Sequence, residues 1–267
     1  MVFLKYLFAL LILLYGCSKP NDKAIINNII KSQAYKIDKY TKSFESNSMD
    51  RYFYNKNNGL KNLMLNNKTL YIKIDSFTKG TSNKFKQIVL EKKPNSIIID
   101  LRDNPGGLLT EAIKIVDMFK SNGVIITTKS SNGIKNYQAN IQNTIFKDIP
   151  TAIIINKNSA SASEILAGAL KGLKNIYVIG EPSYGKGSIQ NLIKISNNKY
   201  VKVTISEYKI HNNIDISNIG VQPDIRCLDK NINLNNIPPS KIKKIKTYLQ
   251  KNNNLDRCIS IAYTMLN

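Results

Sequence analysis

The chain is poor in the side chains that most often move protons and read phosphates. A single histidine, His211, stands in 267 residues, so a nucleophilic serine that did not find it would need another base. A lysine whose charge is suppressed by burial is the usual substitute. Arginine is nearly as scarce, with only Arg51, Arg102, Arg226 and Arg257 among 39 basic residues. The guanidinium fork that reads bases and phosphates bidentately is therefore thinly supplied. The formal charge of +21 falls to lysines scattered among Asn and Ile, a pattern of solvated faces, and no nucleic-acid partner is expected. Adhesion to an anionic envelope surface is the weaker alternative. The three cysteines, Cys17, Cys227 and Cys258, form no C-x-x-C pair, and no His/Cys cluster suggests a metal or other cofactor.

Long apolar runs are also missing. The one candidate, Tyr6 to Leu14, is too short to span a bilayer comfortably and fits the core of a secretory signal over residues 1–16. It ends in Leu14-Tyr15-Gly16-Cys17, which resembles the lipobox of bacterial lipoproteins, although Tyr15 is bulkier than the small residue usual there. The resemblance implies a lipidated Cys17 at a mature N-terminus, a linker over 17–23, and an extracytoplasmic chain held at a membrane of the bacterial cell envelope. An uncleaved N-terminal anchor is the alternative. In an oxidising compartment Cys227 and Cys258 could pair, or stay as two isolated buried thiols.

What is present reads as one sizeable domain with appendages. Ala24 to Phe44 carries apolar residues at helical spacing, so an N-terminal helical segment is expected over 24–68, its second half polar and without a fold of its own. The texture then changes. Leu70 to Ile74 is β-rich, Ser82 to Lys92 reads as a helix, and Ser96 to Asp100 is a short continuous apolar run of the buried-strand kind. A turn at Asp103-Asn104-Pro105-Gly106-Gly107 leads into a helix over Leu109 to Phe119. Strand, turn and helix repeat with Ala152 to Ile155, a serine cluster, a helix to about Leu173, and a strand at Tyr177 to Ile179. This alternation predicts an α/β fold on a mostly parallel sheet. A core over 69–226 is followed by a C-terminal helical tail over 227–267. The terminal helices could build a homodimer or pack on the core.

The chemistry concentrates in two places. Ser161 follows a buried strand and opens a helix, where unpaired N–H groups and the helix dipole would stabilise an oxyanion. It also begins Ser161-x-x-Glu164, a capping box that needs no catalytic role, and Ser159 and Ser163 compete with it. Lys186 lies between Gly185 and Gly187, where close backbone approach could squeeze it into a neutral base. A solvated loop lysine is the bland alternative. Gln190, four residues on, could orient it. Gly180 to Lys186 also matches the phosphate-loop spacing, but Gly187 replaces the magnesium-binding hydroxyl, Glu181 would repel phosphate, and a strand is expected to follow. His211 sits at a strand end running into a turn. A Ser-His-Asp triad through it is conceivable.

Together these blocks resemble the carboxyl-terminal processing peptidases, or tail-specific proteases. The resemblance is carried in order by Tyr71 to Phe77, Ile99 to Leu109, Ser159 to Ile165, Gly180 to Gln190 and Gly220 to Asp224. It implies a ClpP/crotonase-like core and a serine endopeptidase that cleaves protein or peptide substrates near their C-termini with no cofactor. The catalytic set it implies is Ser161 as nucleophile and Lys186 as base, with Gln190 assisting. The implied oxyanion donors are the N–H groups of Gly106 or Gly107 and of Ala162. Two departures accompany it. Residues 24–69 cannot hold both the N-terminal helices and the PDZ domain that most members insert there, and Gly172 stands where an acidic residue is common. A non-catalytic envelope-binding or adaptor protein on the same core is the rival reading.

Overall fold

The computed structural model describes residues 20–36, 38–45, 60–196, 199–228, 247 and 256–267. The apolar run before Gly16, Cys17, and the lysine-rich segment expected over 241–250, Thr247 excepted, lie outside the described residues. Among those described, no helix is long and apolar enough to cross a membrane.

Two sheets form the body. The first has six strands in the order β11-β8-β7-β4-β3-β2, where β2 is Leu60–Leu65, β3 Thr69–Ile74, β4 Ser96–Asp100, β7 Thr151–Ile155, β8 Ile176–Gly180 and β11 Ile225–Arg226. The pairings β3–β4, β4–β7, β7–β8 and β8–β11 are parallel. Only the outer β2 runs antiparallel. The second sheet runs β1-β10-β5-β6, with β9 on the other side of β10. Here β1 is Lys42–Glu45, β5 Val124–Ser130, β6 Gly133–Gln138, β9 Ser188–Ser196 and β10 Lys199–Ile210.

The unbroken apolar run of β4 has a direct cause. Side chains alternate across a strand, and here both faces of the first sheet are covered. Ile97 and Ile99 join the main core with helices α2 (Thr81–Lys92), α3 (Leu109–Phe119) and α4 (Ala162–Leu170). Ile98 faces the opposite side, beside Ile154 and Ile179, under Ile261, Ala262 and Met265 of α5 (Arg257–Leu266). The final helix α5 is therefore a packed layer of the core, and Cys227 is disulfide-bonded to Cys258 at its start, which resolves the pairing left open by the sequence.

The N-terminal segment departs from expectation in the same way. One helix, α1 (Pro20–Gln33), packs Ile26 and Ile30 on Val201 and Val203 of β10. The chain then enters the two sheets as β1 and β2. The polar look of residues 60–65 reflects an edge strand whose Lys61, Asn62 and Leu63 are exposed. The described terminal helices, α1 and α5, thus pack apolar residues on the core, which is the second of the two arrangements that the sequence left open.

Candidate active site

Three neighbouring parallel strands deliver three loops to one end of the first sheet, the end where open α/β sheets place their ligands. The loop after β4 holds Asn104 to Gly107, the loop after β7 holds Asn156 to Ser161, and the loop after β8 holds Glu181 to Gly187. Asn104, fully buried, fastens the first to the sheet and to the second. Its side-chain amide donates to the Ile74 carbonyl at 2.8 Å and its carbonyl side chain accepts from Gly106 N–H at 2.8 Å. Its backbone carbonyl accepts from Ala160 N–H and Ser163 Oγ, both at 3.0 Å. Tyr184 N–H donates to the Ser159 carbonyl at 3.0 Å and draws in the third loop.

The three candidate serines now separate. Ser159 is fully buried, with its hydroxyl donated to the Leu101 carbonyl at 2.8 Å and accepting from Asn156 N–H at 2.9 Å. Ser163 is fully buried and bonded to Asn104. Ser161 alone of the three lines the large cavity. Its backbone is at φ 56°, ψ −114°, a region that non-glycine residues rarely occupy and that is held by its surroundings. The restraints are visible: Ser161 N–H donates to Glu164 Oε2 at 2.8 Å, and Tyr208 Oη donates to the Ser161 carbonyl at 3.4 Å.

Glu164 is the residue whose weight the sequence understated. It is fully buried in the first turn of α4, and its two oxygens accept four bonds. Oε1 takes Ser183 Oγ and Gly185 N–H, each at 2.6 Å, and Oε2 takes Ser161 N–H and Lys186 N–H, at 2.8 and 2.9 Å. One carboxylate therefore ties the backbone of the serine to the backbone of the lysine. The Ser-x-x-Glu spacing indicates its bond to Ser161, but nothing in the sequence signals its reach to residues 183–186. Gly185 adopts φ +82°, and a Cβ there would meet the Asn218 backbone at 2.9 Å, so only glycine lets the loop close.

Ser161, Lys186, Gln190 and Gly107 line one cavity of about 660 Å³, which also takes in Lys42 and Lys202. Burial pulls the Lys186 ammonium down to about 8; the Lys202 charge adds to this, and Asp38 and Glu164 oppose it. Its Nζ lies 5.2 Å from the centroid of the Tyr40 ring. Asp38 and Tyr40 come from the stretch between α1 and β1. Thr204 Oγ1 fixes that stretch by donating to Asp38 Oδ1 at 2.9 Å, and Tyr35 N–H donates to the Thr204 carbonyl at 2.7 Å. The sequence carries no sign of this lining. Gln190 shares the cavity, with its amide nitrogen directed to Ser188 Oγ at 3.0 Å and Thr204 Oγ1 at 3.4 Å.

The expected oxyanion donors also separate. Gly106 packs against the Ser161 loop, since a Cβ there would lie 2.8 Å from Ser161 Cβ, but its N–H is held by Asn104. Gly107 forms a parallel bridge with Phe77, flanked by bonds from Phe77 N–H to the Gly106 carbonyl and from Leu108 N–H to the Phe77 carbonyl. In that geometry the N–H of Gly107 itself turns the other way. Neither it nor Ala162 N–H, at the start of α4, has an acceptor among the described residues. His211 lies in the turn His211–Asn213, outside the cavity lining, with its pKa lowered by burial and by Lys120. Gly172 sits in an open turn, with nothing within 4 Å of where a side chain would start. Among the described residues no group of three His, Cys, Asp or Glu could hold a metal.

Residues 68–227 match the model of peptidase family S41. Among curated proteins, the chain is 39% identical over 158 residues to carboxyl-terminal-processing peptidase 2, chloroplastic, of Arabidopsis thaliana, covering 58% of this chain and 31% of that one. It is 31% identical over 220 residues to the carboxy-terminal-processing protease of Bartonella bacilliformis, covering 79% and 44%. The chain thus spans less than half the length of either relative. Among solved structures, the photosystem II D1 C-terminal processing protease superposes with a TM-score of 0.55 at 28% identity, covering 64% of this chain and 48% of that one. A lipoprotein from Streptococcus agalactiae superposes at 0.61 over 88% and 84%, and at 20% identity it speaks to the fold alone.

Proposed function

The chain belongs to peptidase family S41, and from that premise we propose that it is a Ser-Lys endopeptidase that cuts extracytoplasmic proteins near their C-termini. The observation that carries this reading is the strained, cavity-facing Ser161 in one cavity with a lysine pulled down to about 8. A neutral amine is what a serine hydroxyl needs as proton acceptor.

In this mechanism Ser161 Oγ attacks the scissile carbonyl carbon while Lys186 Nζ takes the hydroxyl proton. The carbonyl oxygen becomes an oxyanion held by the N–H groups of Gly107 and Ala162. Collapse of the intermediate breaks the C–N bond, and the departing amine leaves with the proton from Lys186. Water then attacks the acyl-serine and gives a proton to Lys186, which returns it to Ser161 Oγ as the C–O bond breaks, and the released carboxylic acid loses its own proton to solvent. Gln190, with its nitrogen committed to Ser188 and Thr204, offers Oε1 to the ammonium. Exposed tails suit the cavity because an unfolded terminus can be laid in as an extended strand. A lipidated Cys17 would hold the enzyme at the envelope surface, in keeping with an oxidising compartment for Cys227 and Cys258.

Incubation with unfolded tail peptides, with products mapped by mass spectrometry, tests the activity. Cuts within the last residues of each tail are expected. Intact chains in every case would instead favour the binding-protein reading. The mass of the mature protein from membranes should show residues 1–16 removed and a diacylated Cys17, and an unprocessed Met1 would contradict the anchor.

A further inference from the structure

The cavity that holds Ser161 has a second chemical feature. Lys42 of β1 and Lys202 of β10 both line it, and they are direct partners in the antiparallel ladder. Like charges placed opposite each other on one face of a sheet repel, and such pairs are ordinarily avoided or offset by a nearby carboxylate. The offset here is only partial. No Asp or Glu lines the cavity, and among the described residues neither lysine has a carboxylate within salt-bridge distance. Asp38 acts on Lys202 through its charge without touching it, and its carboxylate accepts from Thr204 Oγ1. The basic residues that the rest of the chain scatters over solvated faces are concentrated here beside the nucleophile. A local rule broken in this way, with no carboxylate in contact with either lysine among the described residues, points to an anion supplied from outside.

The rest of the wall defines the anion's carrier. Leu108, Leu109, Ile165, Ile189 and Leu192 make most of it apolar. β9, which contributes Ile189 to Leu192, pairs with β10 on one side and with no other described strand. An extended peptide laid along this wall would bring apolar side chains to the leucines and isoleucines and a carboxylate to the lysines. From this we infer that Lys42 and Lys202 form a carboxylate-binding subsite that anchors the peptide substrate in the Ser161 cavity. The subsite rests on the peptidase reading for its substrate, and not for its binding chemistry. The carboxylate could be the α-carboxylate of a chain end or an acidic side chain near the cut. An α-carboxylate held beside the nucleophile would itself set the cut close to the terminus.

Binding to the full chain carrying Ser161→Ala separates this inference from turnover. Fluorescence anisotropy would compare four labelled peptides on one apolar sequence: a free acid, its C-terminal amide, and amides carrying an internal Glu or Gln. Two adjacent cations, Lys202 half-buried and Lys42 exposed, are expected to favour the carboxylate by roughly tenfold in Kd, fading at high salt. Preference for free acid over amide identifies the chain end, and preference for Glu over Gln identifies the side chain. In either case the ratio should fall to about one in Lys42→Gln and in Lys202→Gln, and invert in Lys42→Glu. Equal affinity for all four peptides, absence of binding, or a preference that survives all three lysine variants would overturn the subsite. Failure of wild type to cleave peptides that bind in this charge-dependent way would sink the peptidase reading and leave the subsite standing.

Discussion

At the scale of single residues, the proposed mechanism depends on one lysine giving up its proton to become a free amine. Burial is the main cause for Lys186 and the neighbouring Lys202 charge is the next. Only the free amine can take the serine proton, so the rate should rise with pH through about 8 as Lys186 loses its proton. Removing the Lys202 charge removes part of what keeps Lys186 neutral. In Lys202→Gln the rising limb should therefore move to higher pH, with the loss greatest at neutral pH and shrinking in alkali. A pH profile of kcat/KM checks it, and a limb that stays in place would mean that burial acts alone. The serines behave differently. Ser159→Ala leaves the Asn156 N–H and the Leu101 carbonyl without their buried partner and should cost about 1–3 kcal/mol of stability in a urea titration, while the Ser161 hydroxyl remains in the cavity. The order Ser-Ala-Ser-Ala-Ser cannot distinguish the three in advance, because what separates them is burial against Leu101 and Asn104, residues about sixty positions away.

At the scale of elements, a helix start and a loop are joined by Glu164. Its carboxylate accepts four donors, and a glutamine offers only one accepting oxygen while pointing its own N–H groups at donors. Glu164→Gln should destabilise the fold by roughly 3 kcal/mol in denaturant unfolding and should lower activity even where the protein is fully folded, since Ser161 and Lys186 lose their common tether. Much at this scale was legible. The runs Ser96 to Asp100 and Ala152 to Ile155 announce buried parallel strands because both faces of their sheet are covered, and Leu109 to Phe119 announces α3 through its one apolar face. The pairing of β1 with β10 and the placement of Asp38 and Tyr40 around Lys186 were not. Those contacts join residues more than 140 positions apart, and a short polar stretch leaves no periodic trace of what it will cover. The edge strand β2 was missed for a related reason, since its exposed middle, Lys61 to Leu63, between partly buried ends leaves no alternation to read.

At the scale of the whole molecule, the two side chains proposed as catalytic come from different elements. Ser161 stands at the end of the first sheet, and Lys186 stands where the chain leaves that sheet for β9 of the second. The α5 layer closes the opposite face, locked by Cys227 and Cys258 across a separation of 31 residues. A loop of that size constrains the unfolded chain by about 3–4 kcal/mol. Cys227→Ser with Cys258→Ser, or reduction of the wild type, should lower the unfolding free energy by that order in guanidinium titrations, and an unchanged midpoint would mean that α5 contributes little to the fold. The central claim is that Ser161 and Lys186 act as one catalytic unit. Its most direct test is kcat/KM for a single tail peptide between pH 6 and 10, measured for wild type, Ser161→Ala and Lys186→Ala, all verified as folded. The account predicts a rise centred near pH 8 in the wild type and losses of about a thousandfold or more in both variants at every pH. Substantial cleavage by Lys186→Ala with a pH profile like that of the wild type would contradict it.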